Sequence, residues 1–194
     1  MIIYTSESLL SELRDYSNPH MKIKRMVRDG ELIHIKRGLY ETNPDVESEY
    51  LAYAIYGPSY LSFDYALSYH GIIPESVRVC TSATTGKFRR KTFETPFGYY
   101  SYRDVPQQVF EMGVLSFDQD DYRLRIASAE KAVCDKIYTM HPVDNVIEMG
   151  ELMFEDLRFD ESMMEELDKN IIEQLVDGYH SKNVKLLSKV LVDY

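Results

Sequence analysis

The chain has 194 residues, 44% hydrophobic and 28% charged, with a formal net charge of −10. That composition excludes a disordered chain and allows a sizeable core, and no apolar run approaches the roughly 20 residues of a membrane-spanning helix. A net charge of −10 argues, taken alone, against a nucleic-acid partner.

The distribution of charge reverses that argument. Residues 18–40 hold six bases (Lys22, Lys24, Arg25, Arg28, Lys36, Arg37) against Asp29 and Glu31. Residues 75–103 hold six more (Arg78, Lys87, Arg89, Arg90, Lys91, Arg103) against Glu75 and Glu94. Residues 141–178 hold twelve acids against Arg158 and Lys169, which alone gives a net of −10. Such asymmetry bears on partner choice more than the sum does. The N-terminus, MIIYTSESLL, has neither a basic region nor a small-residue cleavage site, so no secretory signal is expected. Cys80 and Cys134 lie far apart with no CxxC context, which suits free thiols in a reducing cytoplasm.

In chain order, Thr5 or Ser6 caps a first helix that runs to about Tyr16, with Leu9, Leu10 and Leu13 on one face. Asn18-Pro19 starts a second, which carries the bases Lys22, Lys24, Arg25 and Arg28 and stops at Asp29-Gly30. Residues 31–36 read as a strand, Arg37-Gly38 as its turn, and Leu39-Tyr40 as the return. A basic helix followed by a two-stranded hairpin is the outline of a winged helix, in which the helix enters the major groove and the wing meets phosphate. A solvated basic helix beside an ordinary hairpin fits the same residues. Thr42-Asn43-Pro44-Asp45 is a polar break and the expected domain boundary.

Beyond it, residues 47–56 predict a helix with Leu51, Ala54 and Ile55 inward. Ser62 is the expected cap of the next helix. Its Phe63, Ala66, Leu67 and His70 fall at i, i+3, i+4 and i+7, which makes His70 a hydrogen-bonded core histidine before it is a catalytic base. Strands are predicted over 76–81, 88–94, 99–103, 114–117 and 122–126. Their links are too short for crossover helices, so an antiparallel or mixed sheet is expected. Gly86-Lys87 lacks the first glycine and the hydroxyl of a P-loop. The cluster Lys87, Arg89, Arg90 and Lys91 therefore reads as a second basic surface or a solvated, protected strand edge. Ser128 caps a helix with Ala129, Ala132, Val133, Ile137 and Met140 on one face. Four helices follow over about 145–157, 161–168, 171–179 and 183–192.

The expected fold class is α+β. A winged helix-turn-helix occupies 1–43, a mixed α/β domain with a mainly antiparallel sheet 44–140, and an acidic helical segment packed on that domain 141–194. No paired carboxylates, nucleophile elbow or metal-ligand cluster is recognisable, so no catalytic residue, metal or cofactor is expected.

The pieces ALSYHGIIPE, TFETPFGYYSYR and IASAEKAVCDKIY, following a small basic N-terminal unit that ends in GLY, resemble the AbiEi family. These are antitoxins and autorepressors of bacterial type IV toxin–antitoxin and abortive-infection systems. The likeness covers about residues 5–140, and the compact N-terminus and the acidic segment after His141 depart from it. The resemblance implies a cytoplasmic transcriptional autorepressor that binds double-stranded repeats upstream of its own operon, and a nucleotidyltransferase-like toxin encoded next door. Carried onto this chain, the DNA contacts would be Lys22, Lys24, Arg25 and Arg28 on the helix and Lys36 and Arg37 in the wing. Lys87, Arg89, Arg90 and Lys91 would form the second basic surface. The alternative is an interaction protein that neutralises a partner by contact without binding DNA.

Overall fold

A computed structural model describes residues 3–119 and 121–193. Strand β1 (Ile3–Thr5) leads into helix α1 (Ser6–Glu12), where Thr5 and Ser8 form a reciprocal cap. Helix α2 (Pro19–Arg28) starts as its sequence dictates: the Asn18 side chain accepts the Met21 amide at 3.1 Å, and Pro19 needs no partner for an N–H it lacks. Strands β2 (Ile33–Lys36) and β3 (Leu39–Glu41) make a hairpin, and β1 pairs with the outer side of β3. The order β1-β3-β2 is antiparallel throughout. Leu9, Ile23 and Leu32 close a small core beneath it.

A single 3₁₀ turn (Ser48–Leu51) and a four-residue helix α3 (Ala52–Ile55) replace the longer helix expected over 47–56. Strand β4 (Ser59–Leu61), helix α4 (Phe63–Tyr69) and strands β5 (Cys80–Thr84), β6 (Lys91–Thr95), β7 (Gly98–Asp104), β8 (Val114–Gln119) and β9 (Tyr122–Ala127) follow. They form one sheet in the order β6-β7-β5-β4-β9-β8. Helices α5 (Ala129–Tyr138), α6 (Val146–Glu151), α7 (Glu161–Glu165), α8 (Lys169–Tyr179) and α9 (Lys182–Asp193) complete the chain, with a π-helical turn at Leu152–Asp156. Among the described residues, no helix is long and apolar enough to cross a membrane.

Counting both sheets, most pairings are antiparallel, but β5–β7 and β4–β9 are parallel. Short links do not forbid this. After β5 the chain hops past one strand position to the edge, runs back as β6, and returns as β7 into the gap. Parallel neighbours arise from a hairpin placed one position out, without a helical crossover. Two further expectations are corrected. The strand expected over 76–81 begins only at Cys80, and Val79 is exposed. Phe88, read as part of a strand, precedes β6 by three residues.

The large core runs from Ile35 to Leu191 and includes Met149, Met153 and Met164 from the C-terminal helices. All twelve acids of residues 141–178 are exposed, so that segment turns its apolar face inward and its carboxylates to solvent. Within this core lies a polar knot. Asp135 accepts hydrogen bonds from Tyr60 (2.9 Å), Ser62 (2.6 Å), Tyr179 (2.6 Å) and the Lys131 ammonium (3.0 Å). Lys131 and Asp135 are both fully buried. Ser62 thus sits at the start of α4 but makes no side-chain cap; its hydroxyl is spent on Asp135. Burial, with the charge of Asp135, pushes the Tyr60 and Tyr179 hydroxyls well above the ordinary phenol range, so both stay protonated donors. His70 bonds the Ala127 carbonyl at 2.8 Å, a structural histidine.

Candidate nucleic-acid interface

Helix α2 has two faces because its apolar residues recur at helical spacing. Ile23, Met26 and Val27 pack on the small core. Met21, Lys24, Arg25 and Arg28 stand at i, i+3, i+4 and i+7 on the opposite side, and all four are exposed. Lys22 is not part of that stripe. Its side chain is 24% exposed and leans toward Glu31 at 3.8 Å, with the Tyr16 ring 5.9 Å from its nitrogen. Arg28 pairs with neighbouring Asp29 at 2.7 Å, which raises the guanidinium pKa and lowers the carboxyl. Arg25 and Lys24 make no ion pair among the described residues.

In the hairpin, Arg37 and Lys36 part company. Arg37 is exposed at the turn, where Gly38 adopts a φ of 81° that favours glycine. Lys36 points the other way. Its ammonium bonds the Ile55 carbonyl and lies 5.2 Å from the Phe93 ring centroid, and burial lowers its pKa. Lys36 is therefore a tether from the hairpin to α3 and β6, not a free cation on the hairpin.

The second basic cluster divides in the same way. Lys87 donates to the Gly57 carbonyl at 3.1 Å and sits over the Tyr56 ring at 5.2 Å. Lys36 thus satisfies the last carbonyl of α3, where a helix leaves its acceptors unpaired, and Lys87 a carbonyl just beyond it. Their two aromatic supports, Tyr56 and Phe93, are 5.8 Å apart. This brings the hairpin and the 85–91 loop to one side of the molecule. Arg89 and Arg90 are exposed there, and Lys91 is half-buried at the start of β6. Burial lowers the Arg103 guanidinium pKa, with the like charge of Arg90 adding to the effect, so Arg103 belongs to the same positive region.

At the tip of this loop stands Phe88, 93% exposed. Its φ is 54°, a conformation costly for a bulky side chain. Phe63 has the same φ but is buried, so packing offsets the cost there. Phe88 has no such offset. The loop is held by Asp104, whose carboxylate accepts the amides of Lys87 (2.7 Å) and Phe88 (2.6 Å) and the Thr84 hydroxyl (2.6 Å). Phe88→Asn is expected to raise stability by about 1 kcal/mol, because asparagine tolerates positive φ; a thermal melt reads this as a rise of roughly 2–4 °C. Sequence reading missed both Phe88 and Asp104. A signal existed: at strand period, Phe88 would share a face with Arg90, Thr92 and Glu94, and an apolar residue on a polar face has no strand partner.

Among the described residues, no group of three or more His, Cys, Asp or Glu could hold a metal ion. Comparison with protein-family models finds no match, and comparison with curated proteins finds none either. Among solved structures, the fold is similar to the crystal structure of RV2827C protein from Mycobacterium tuberculosis, with a TM-score of 0.58 and 13% identity. The match covers 100% of this chain and 72% of that one. At that identity the likeness concerns the fold alone.

Proposed function

We propose that this chain is a DNA-binding antitoxin and transcriptional autorepressor of the AbiEi type. The observation that carries the proposal is the exposed stripe Met21, Lys24, Arg25 and Arg28 on α2, beside a hairpin with Arg37 at its turn. The order strand, helix, helix, strand, strand, with the first strand paired outside the last, supports reading residues 1–43 as a winged helix-turn-helix trimmed to two helices. In this reading α2 enters the major groove, where arginine can make paired bonds to guanine, and Arg37 meets backbone phosphate. Lys22 supports the helix through Glu31, and Lys36 fixes the angle between hairpin and sheet. Both help to position the interface without touching DNA. The chain works in the cytoplasm, catalyses no reaction, and counters a nucleotidyltransferase-like toxin from the adjacent gene.

A mobility shift with the region upstream of the chain's own gene tests this. Retarded DNA at low salt, lost with an unrelated duplex at moderate salt, is the expected result. Unchanged migration at low salt rejects it. One observation favours a second reading, an interaction protein that neutralises a toxin by contact: edge strand β8 exposes Leu115 and Phe117 at 39% and 47%. That reading expects co-purification of the neighbouring gene product and no DNA shift.

A further inference from the structure

We infer that Phe88 is an apolar wedge that enters between base pairs of the bound duplex while the cations around it take the flanking phosphates. The inference rests on the DNA-binding reading above. Three observations converge on it. Phe88 is 93% exposed at the tip of a loop, so its side chain adds nothing to the core. Its backbone is held at φ 54° by the bonds of Asp104 to the Lys87 and Phe88 amides, so the direction in which the side chain leaves the loop is set and little backbone ordering entropy remains to be lost on binding. Arg89 and Arg90 are exposed on its C-terminal side, with Lys87 and Lys91 half-buried beside them.

A hydrophobic ring set among cations fits a polyanion that also offers flat apolar surfaces. Duplex DNA offers both: phosphates at its surface and base faces once a step is opened. Proteins that wedge the minor groove place phenylalanine or a similar residue between base steps, with basic side chains on the phosphates. The position of the loop agrees. Lys36 in the hairpin and Lys87 in the loop converge on the packed rings Tyr56 and Phe93, which places the loop beside the hairpin. A membrane surface fits less well, because a single exposed ring on a rigid loop buries too little apolar area for anchoring.

The sequence has no tryptophan, so Phe88→Trp introduces a single indole at the tip. The upstream duplex, dye-labelled so that anisotropy follows binding independently, is titrated with this variant. Indole emission is expected to fall at least twofold as the complex forms, through stacking on bases, and Phe88→Ala is expected to weaken the complex roughly 5- to 100-fold. Binding with unchanged emission, together with full affinity of Phe88→Ala, overturns the wedge and leaves the DNA-binding reading standing. No binding by the unaltered chain overturns both. An emission change with the neighbouring gene product or with phosphatidylserine vesicles, but not with duplex, also overturns the wedge and gives the loop to that partner.

Discussion

Arg25→Glu combined with Arg28→Glu is expected to lower affinity for the upstream duplex at least 100-fold, to the level of unrelated DNA. Each arginine lost removes a phosphate or base contact, and each glutamate gained repels the backbone. If each arginine neutralises one phosphate, the slope of log affinity against log salt becomes shallower by about 0.9 per contact. The fold should not change. Both side chains are exposed, opposite Ile23, Met26 and Val27, and the Arg28–Asp29 pair lies at the surface where such pairs contribute little. Circular dichroism and melting temperature close to those of the unaltered chain complete the prediction. A Lys36→Ala control separates the two roles of basic residues here. It should loosen the hairpin on the central sheet without changing the salt slope, because Lys36 is committed to the Ile55 carbonyl.

Asp135→Ala is expected to be the most damaging single substitution for stability. It strands a buried ammonium and three buried hydroxyls at once. Removing one partner of a buried pair costs about 3–5 kcal/mol, which for a chain of this size lowers the melting temperature by roughly 6–20 °C. Lys131→Met should cost less. The carboxylate would keep Tyr60, Ser62 and Tyr179 as donors, whereas Lys131 bonds only Asp135 and Tyr179 among the described residues. Equal losses from the two substitutions would show that the ion pair, not the set of hydroxyl donors, dominates. The knot ties β4, α5 and α8 through side chains with one compatible geometry, so it specifies how the C-terminal helices sit on the sheet.

The C-terminal helices and the two N-terminal ones were legible in the sequence because their apolar residues repeat at 3.6 and their starts carry Asn18, Asn145, Asp160 or Asp168 as side-chain caps. The strand edges were not. Val77 and Val79 alternate as a strand would, yet pairing begins at Cys80, because register is set by neighbours distant in sequence. Lys131 and Asp135, four apart on a helix, drew no expectation from sequence; the hydroxyls from residues 60, 62 and 179 that satisfy them in the core lie far away in the chain. The basic residues were legible as a composition, but their roles were not. Lys22 and Lys36 are drawn into supporting contacts, while Lys24, Arg25, Arg28 and Arg37 stay exposed, and nothing in a charge count separates the two groups. Phe88 was taken into the strand expected over 88–94, although its place on an otherwise polar face marked it as unpaired.

On this reading an acidic chain binds DNA through a local basic face. Anisotropy of the labelled upstream duplex, titrated with the unaltered protein at a series of salt concentrations, tests it most directly. Saturable binding at low salt that weakens steeply as salt rises is expected, with a log–log slope of about −3 to −6 if Lys24, Arg25, Arg28, Arg37 and the 85–91 loop supply the contacts. An unrelated duplex should bind much more weakly throughout. Flat anisotropy at low salt, or equal binding of both duplexes with no salt dependence, would contradict it.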